Sequence, residues 1–227
     1  RLFEREKIEY TLRTIISIIN SVNYNPMLKK IRINYKVVDH NSTRENLLKI
    51  DTVFKKYNID YKLINLDVSK FEKEIHEVNE RGEKVSYNQI SNMANINQSL
   101  EESKNSEDLI YFVEDDYIHQ KNSIGEMILT YERIASQFNK EIIICPSDYP
   151  YLYTKTEPTQ NFLGQDYHWR KVNETLCTFL TSKKRISKDF EKLDEMSKNE
   201  SNPFEKNLHE IYEEELCFSP MPSLSIH

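Results

Sequence analysis

Glycine is scarce, with only 3 in 227 residues. A phosphate-cradling loop needs glycines clustered within a few positions, because only a residue without a Cβ lets the backbone close on a phosphate. Neither G-x-G-x-x-G nor the P-loop pattern occurs, so the common nucleotide-binding loops are excluded. Cysteine is scarce too. Cys145, Cys177 and Cys217 are odd in number, far apart and never in a C-x-x-C pair, which supports neither a disulfide framework nor a zinc knuckle. Each lies in or near an apolar run, where a buried thiol is expected. No run reaches the roughly 18 apolar residues of a membrane span, and no secretory leader is expected, although the chain opens at Arg1 rather than Met. A cytoplasmic location is the expectation, with peripheral attachment to a membrane left open. Positive charge is in deficit, with 31 Lys and Arg against 37 Asp and Glu. Nucleic acid is therefore not an expected partner, since its phosphates need a basic footprint. H-E-x-x-H and the nucleophile-elbow pattern are also missing, which leaves zinc and serine hydrolases without support.

The segments that are present alternate in period. Leu2, Ile8, Leu12, Ile15, Ile16 and Ile19 recur at helical spacing and predict a helix over 2–23. Further helices are predicted over 44–57 (capped by Thr43 or Ser42), 86–104, 122–138 (with a capping box of Ser123 and Glu126), 183–198 and 203–215. Strands are predicted over 31–39, 61–66, 108–113, 141–145 and 175–181. Strand–helix alternation over 31–145 predicts an α/β fold with a mostly parallel central sheet and helices on both faces. With no repeat and no low-complexity linker, we expect one domain over 1–227, with halves at 1–145 and 146–227.

Ligands collect at the carboxyl ends of strands in such sheets. One strand ends at Asp39 and another at Glu114, Asp115 and Asp116. Three adjacent carboxylates repel one another unless a cation neutralises them, and hard oxygen ligands suit Mg²⁺ or Mn²⁺. The plainer alternative is a solvated acidic turn. The apolar run DLIYFV before the acids argues for a buried, rigid support.

These residues carry a family resemblance. VVDHNST at 37–43 and the strand ending FVEDD at 112–116 resemble the two signatures of family 2-type GT-A glycosyltransferases. Between them, residues 94–100 resemble that family's A-R-N-x-G-L helix; Asn97 and Leu100 match, whereas Ile96 and Ser99 depart. Residues 222–227 are similar to its P-S-L-x-x-H segment, and Glu205-x-x-Leu208 to its D-x-x-L pattern. The resemblance implies a GT-A fold and a UDP- or GDP-sugar donor. It implies metal ligation by Asp116, Glu114 and His227, and donor contacts from Asp39, Asn41, Asn97, Glu114 and Asp115. The acceptor would be a glycan or other hydroxyl compound, and the base Glu205, with Asp166 in QDYHWR as the other candidate. Arg170 is a possible phosphate partner, weighed against a surface ion pair. Trp169 with Tyr167 and His168 is read as a sugar platform or a core aromatic. Tyr149, Tyr151 and Tyr153 are read as an acceptor wall, and 154–166 as a loop closing over donor. His40, His76, His119 and His209 read as surface residues. Two alternatives remain, a nucleotidyltransferase on a similar sheet and a non-catalytic carbohydrate-binding domain of the same fold.

Overall fold

A computed structural model describes residues 4–71, 73–154, 156, 158–201, 204–214 and 216–227. Helix α1 (Lys7–Tyr24) is followed by strand β1 (Tyr35–Asp39), helix α2 (Arg44–Lys56) and strand β2 (Tyr61–Asn65). Thr43 caps α2, its hydroxyl accepting from the Asn46 amide. The two strands pair in parallel, as a strand–helix–strand crossover requires. Ile8 and Ile19 of α1 and Ile50 and Phe54 of α2 pack against Tyr35, Val37 and Tyr61. The predicted first turn of α1 reaches Leu2, which lies outside the described residues.

Helix α3 (Tyr87–Ser103) opens with a capping box of Ser86 and Gln89. The chain then supplies β3 (Leu109–Phe112), β4 (Ile118–His119), α4 (Ser123–Phe138), β5 (Ile143–Ile144), β6 (Asn161–Leu163), β7 (His168–Lys171) and β8 (Phe179–Ser182). Helices α5 (Lys183–Lys188), α6 (Phe190–Met196) and α7 (Lys206–Glu214) precede β9 (Cys217–Met221) and β10 (Ser225–Ile226). The predicted helix over 183–198 is thus two short helices broken at Asp189. The predicted ends of α7 at 203 and 215, and 155 and 157 of the expected closing loop, lie outside the described residues.

The main sheet has the order β3-β8-β5-β9-β7-β6. Only β5 and β9 pair in parallel; every other pairing in it is antiparallel. The expected mostly parallel sheet is therefore corrected to a mixed, mostly antiparallel one. The cause is β8. Strands β3 and β5 flank a helix and point the same way, as the alternation predicts, but both pair antiparallel with β8, which lies between them. Helices do cover both faces. Ile143, Cys145 and Cys217 point into a core with α3, α5, α6 and α7, while Ile144 and Phe218 point into one with α4. The three thiols are free, with Cys145 and Cys217 buried.

The predicted capping box at 123–126 does not form. Asn122 caps α4 without a side-chain bond, and Glu126 turns inward beneath the β6–β7 turn. Gly164 permits that closure, because a Cβ there would collide with the Trp169 indole and the Thr130 hydroxyl.

Candidate metal and donor site

Strands β3, β5 and β9 share one direction, so their carboxyl ends lie at one end of the sheet. There β3 runs into Glu114, Asp115 and Asp116. The chain end returns to the same place because β10 pairs antiparallel with β4, Ser225 opposite His119. This pairing sets His227 beside the acids. Its Nε2 lies 3.4 Å from Asp116 Oδ2, and its ring stacks on Tyr117 at 4.9 Å and 16°. One ligand atom each from Glu114, Asp116 and His227 all lie within 4.8 Å of one another. In an octahedral Mg²⁺ or Mn²⁺ shell neighbouring ligand atoms are about 3 Å apart and opposite ones about 4 Å. The set spans slightly more than that spacing, with the Asp116–His227 pair at 3.4 Å inside it.

The electrostatics match that chemistry. Burial first, then the charges of Asp116, Glu205 and Asp115, push the Glu114 carboxyl up to about 7. A cation beside it would oppose the effect of these three charges. The Glu114 amide donates to Thr178 Oγ1 at 3.3 Å, which fixes the backbone at the strand end. Asp115 points elsewhere. Its Oδ2 accepts from Thr11 Oγ1 at 3.0 Å and faces Lys7 Nζ at 3.3 Å, tying α1 to the acidic turn.

Asp39 ends β1, and its Oδ2 accepts from the Ser42 amide at 3.2 Å. That bond closes a turn through Asn41, which is exposed with φ 63°, a conformation asparagine tolerates. His40 is held by Ser91, Nδ1 to Oγ at 2.7 Å, with the Tyr87 ring 6.0 Å away.

Other predicted site residues are engaged away from the cluster. Asn97 donates to Asp194 and Ser197, joining α3 to α6. Arg170 is buried in an ion pair with Asp148 rather than at the surface. Trp169 is fully buried core. His119 is corrected from surface to buried; burial pulls its pKa down to about 4, and its ring bonds Tyr111. Asp166 is exposed in the β6–β7 turn, four or five strands from β3, which at the usual strand spacing is roughly 19–24 Å. A cavity of about 880 Å³ lies between α1 and β4, lined by Leu12, Ile16, Ser17 and His119 but by none of the cluster residues.

Glu205 is close enough to raise the pKa of Glu114, yet it is 3% exposed and its oxygens are occupied. They accept from the Thr175 amide (3.1 Å), the Thr175 hydroxyl (2.8 Å) and the Cys177 amide. The carboxylate thereby holds a turn in which Leu176 and Cys177 both have left-handed φ, 48° and 60°. Two consecutive non-glycine residues there carry backbone strain that something must restrain. No residue type signals this turn, since neither residue is glycine or asparagine, and 175–181 reads as one strand. Glu205→Gln puts an NH₂ group among these donors. It is expected to lower stability by about 1–3 kcal/mol, read as the urea midpoint. A wild-type midpoint would show that the carboxylate restrains nothing.

No protein-family model matches the chain, and no curated protein sequence matches it significantly. No helix among the described residues is long and apolar enough to cross a membrane.

Proposed function

We propose that the protein is a metal-dependent glycosyltransferase of GT-A type, moving a sugar from a nucleoside diphosphate sugar to an acceptor hydroxyl. The observation that carries the reading is the convergence of Glu114, Asp116 and His227 from opposite ends of the chain's second half. Two motifs the sequence resembles, the strand-end acids and the terminal histidine, thus meet in space. Mg²⁺ or Mn²⁺ held by these three would supply positive charge against the leaving diphosphate. The chain's own residues prepare that place. Tyr117 holds the His227 ring flat, Thr178 holds the Glu114 backbone, and Lys7 and Thr11 draw Asp115 aside. Asp39, Asn41 and His40 form a polar strand end suited to the nucleoside. With the oxygens of Glu205 occupied and Asp166 remote, we assign the acceptor's proton to neither.

The test is a thermal-shift experiment with UDP and GDP, with and without Mn²⁺. Synergy between nucleotide and metal is expected. If neither nucleotide shifts the transition in the presence of Mn²⁺, the reading fails. Release of nucleoside diphosphate rather than pyrophosphate separates sugar transfer from nucleotidyl transfer.

A pH prediction arises from Glu114. Its folded pKa of about 7 lies above the ordinary 4.5. The group therefore contributes stability fully present below about 4.5 and lost as pH rises through about 7. His119 acts oppositely: its folded pKa of about 4 lies below 6.5, so stability is lost as pH falls from about 6.5 to 4. The two partly cancel in the metal-free protein. Comparison with Glu114→Gln isolates the first, and the variant's stability advantage is expected to grow by about 3 kcal/mol between pH ~4.5 and ~8. Urea midpoints in EDTA measure it; a pH-independent difference would mean Glu114 titrates normally.

A further inference from the structure

Tyrosine rings lead away from the cluster to the surface. Tyr117, stacked on His227, shares a hydroxyl–hydroxyl bond of 2.7 Å with buried Tyr149. Tyr149 in turn stacks on Tyr151 at 5.6 Å and 14°. The series His227, Tyr117, Tyr149, Tyr151 is unbroken. Tyr149 is buried, whereas Tyr151, which stacks against it, is 43% exposed. Its hydroxyl bonds the Glu174 carboxylate. The single turn Pro150–Tyr153 that carries it is fixed, because Leu152 packs into the core beneath α6 and α7. Beside it, Tyr153 lies over the Arg170 guanidinium at 4.8 Å and bonds Asp148.

The exposed part of this turn is aromatic and carries the Glu174 carboxylate, while Asp148 and Arg170 are paired with each other and largely buried. The Glu174 carboxylate disfavours a phosphate. A pyranose fits both features, with C–H bonds against an aromatic ring and a hydroxyl to the Glu174 carboxylate. We infer that Tyr151, with Tyr153 and Glu174, binds a saccharide ring, and that the acceptor is therefore a glycan. The word acceptor rests on the proposed function; the saccharide site does not.

The test is saturation-transfer NMR on the full chain with cellobiose, lactose and diacetylchitobiose. At least one disaccharide is expected to receive saturation on its ring protons. Tyr151→Ala should weaken that binding roughly tenfold, whereas Tyr151→Phe, which keeps the ring, should stay within roughly threefold. Glu174→Ala, which leaves the ring stack untouched, should also weaken binding and serves if Tyr151→Ala does not fold. No transfer to any of the three sugars, or unchanged affinity in both Tyr151→Ala and Glu174→Ala, overturns the inference. The Mn²⁺–UDP thermal shift, run on the same samples, should survive Tyr151→Ala. Saccharide binding without that shift would leave this site standing while the transferase reading falls.

Discussion

Replacing Asp116 with alanine is expected to remove manganese-dependent nucleotide binding and leave the metal-free fold intact. The side chain is 30% exposed and pairs with His227, so little packing is lost. Its charge also helps push Glu114 up, so its removal relieves repulsion in the metal-free protein. Metal affinity should fall roughly 100-fold or more, since loss of even an outer-shell partner costs about 10–100-fold. Calorimetric titration with Mn²⁺ reads this directly. Asp115→Ala is the paired control. It breaks the exposed contacts with Lys7 and Thr11, worth about 1 kcal/mol at most, and should keep the metal. Unchanged Mn²⁺ affinity in Asp116→Ala, or equal losses in both variants, would remove Asp116 from the ligand set.

The contrast between neighbouring acids illustrates what a linear pattern conveys. The row of three carboxylates after an apolar strand was legible, and so was the histidine at the far end. That Asp115 faces α1 while its neighbours face His227 depends on where α1 lies, which no local spacing encodes. The first half of the fold was legible for a related reason. Helices α1 to α4 and strands β1, β2 and β3 carry their own periodicity, β5 lies in the apolar run EIIIC, and Thr43 has its own capping chemistry. Strand direction in the main sheet was not, because β8 arrives from the second half to separate β3 from β5. Two-residue β4 and the short β6–β7 hairpin are too brief to show alternation.

Several residues were recognised as chemically pointed, but their partners come from remote segments. Asn97 meets α6, Arg170 meets Asp148, and Glu205 meets the turn at 175–177. A polar side chain in a helical or strand pattern reads as exposed until the element opposite it is known, which is also why His119 reads as a surface residue. The Tyr151 ring shows the converse. Its exposure follows from a turn pinned by Leu152, so the apolar neighbour in sequence decides what the aromatic one presents.

Glu126→Ala is expected to be strongly destabilising. The carboxylate is 3% exposed and sits where α4 meets the β6–β7 turn. Its oxygens accept from the Thr130 hydroxyl (2.9 Å), the amides of Gln165 (3.1 Å), Asp166 (2.8 Å) and Tyr167 (3.3 Å), and the Trp169 indole N–H (3.0 Å). Gln165 keeps a second acceptor in Thr130, but the indole is fully buried and donates to Glu126. Removing the carboxylate leaves buried donors without partners and opens a gap beneath a turn that Gly164 allows to close tightly. Breaking one side of such a buried charged network costs about 3–5 kcal/mol, which in a chain of this size lowers the melting temperature by roughly 10 °C or more. Glu126→Gln should recover only part of this, because its amide NH₂ would face other donors. Trp169 is the sole tryptophan, so its fluorescence reports both the unfolding midpoint and the change around the indole in the folded state. A midpoint within about 1 kcal/mol of wild type, with unaltered emission, would mean that the turn is held by its apolar contacts alone and that the inward carboxylate contributes nothing to the fold.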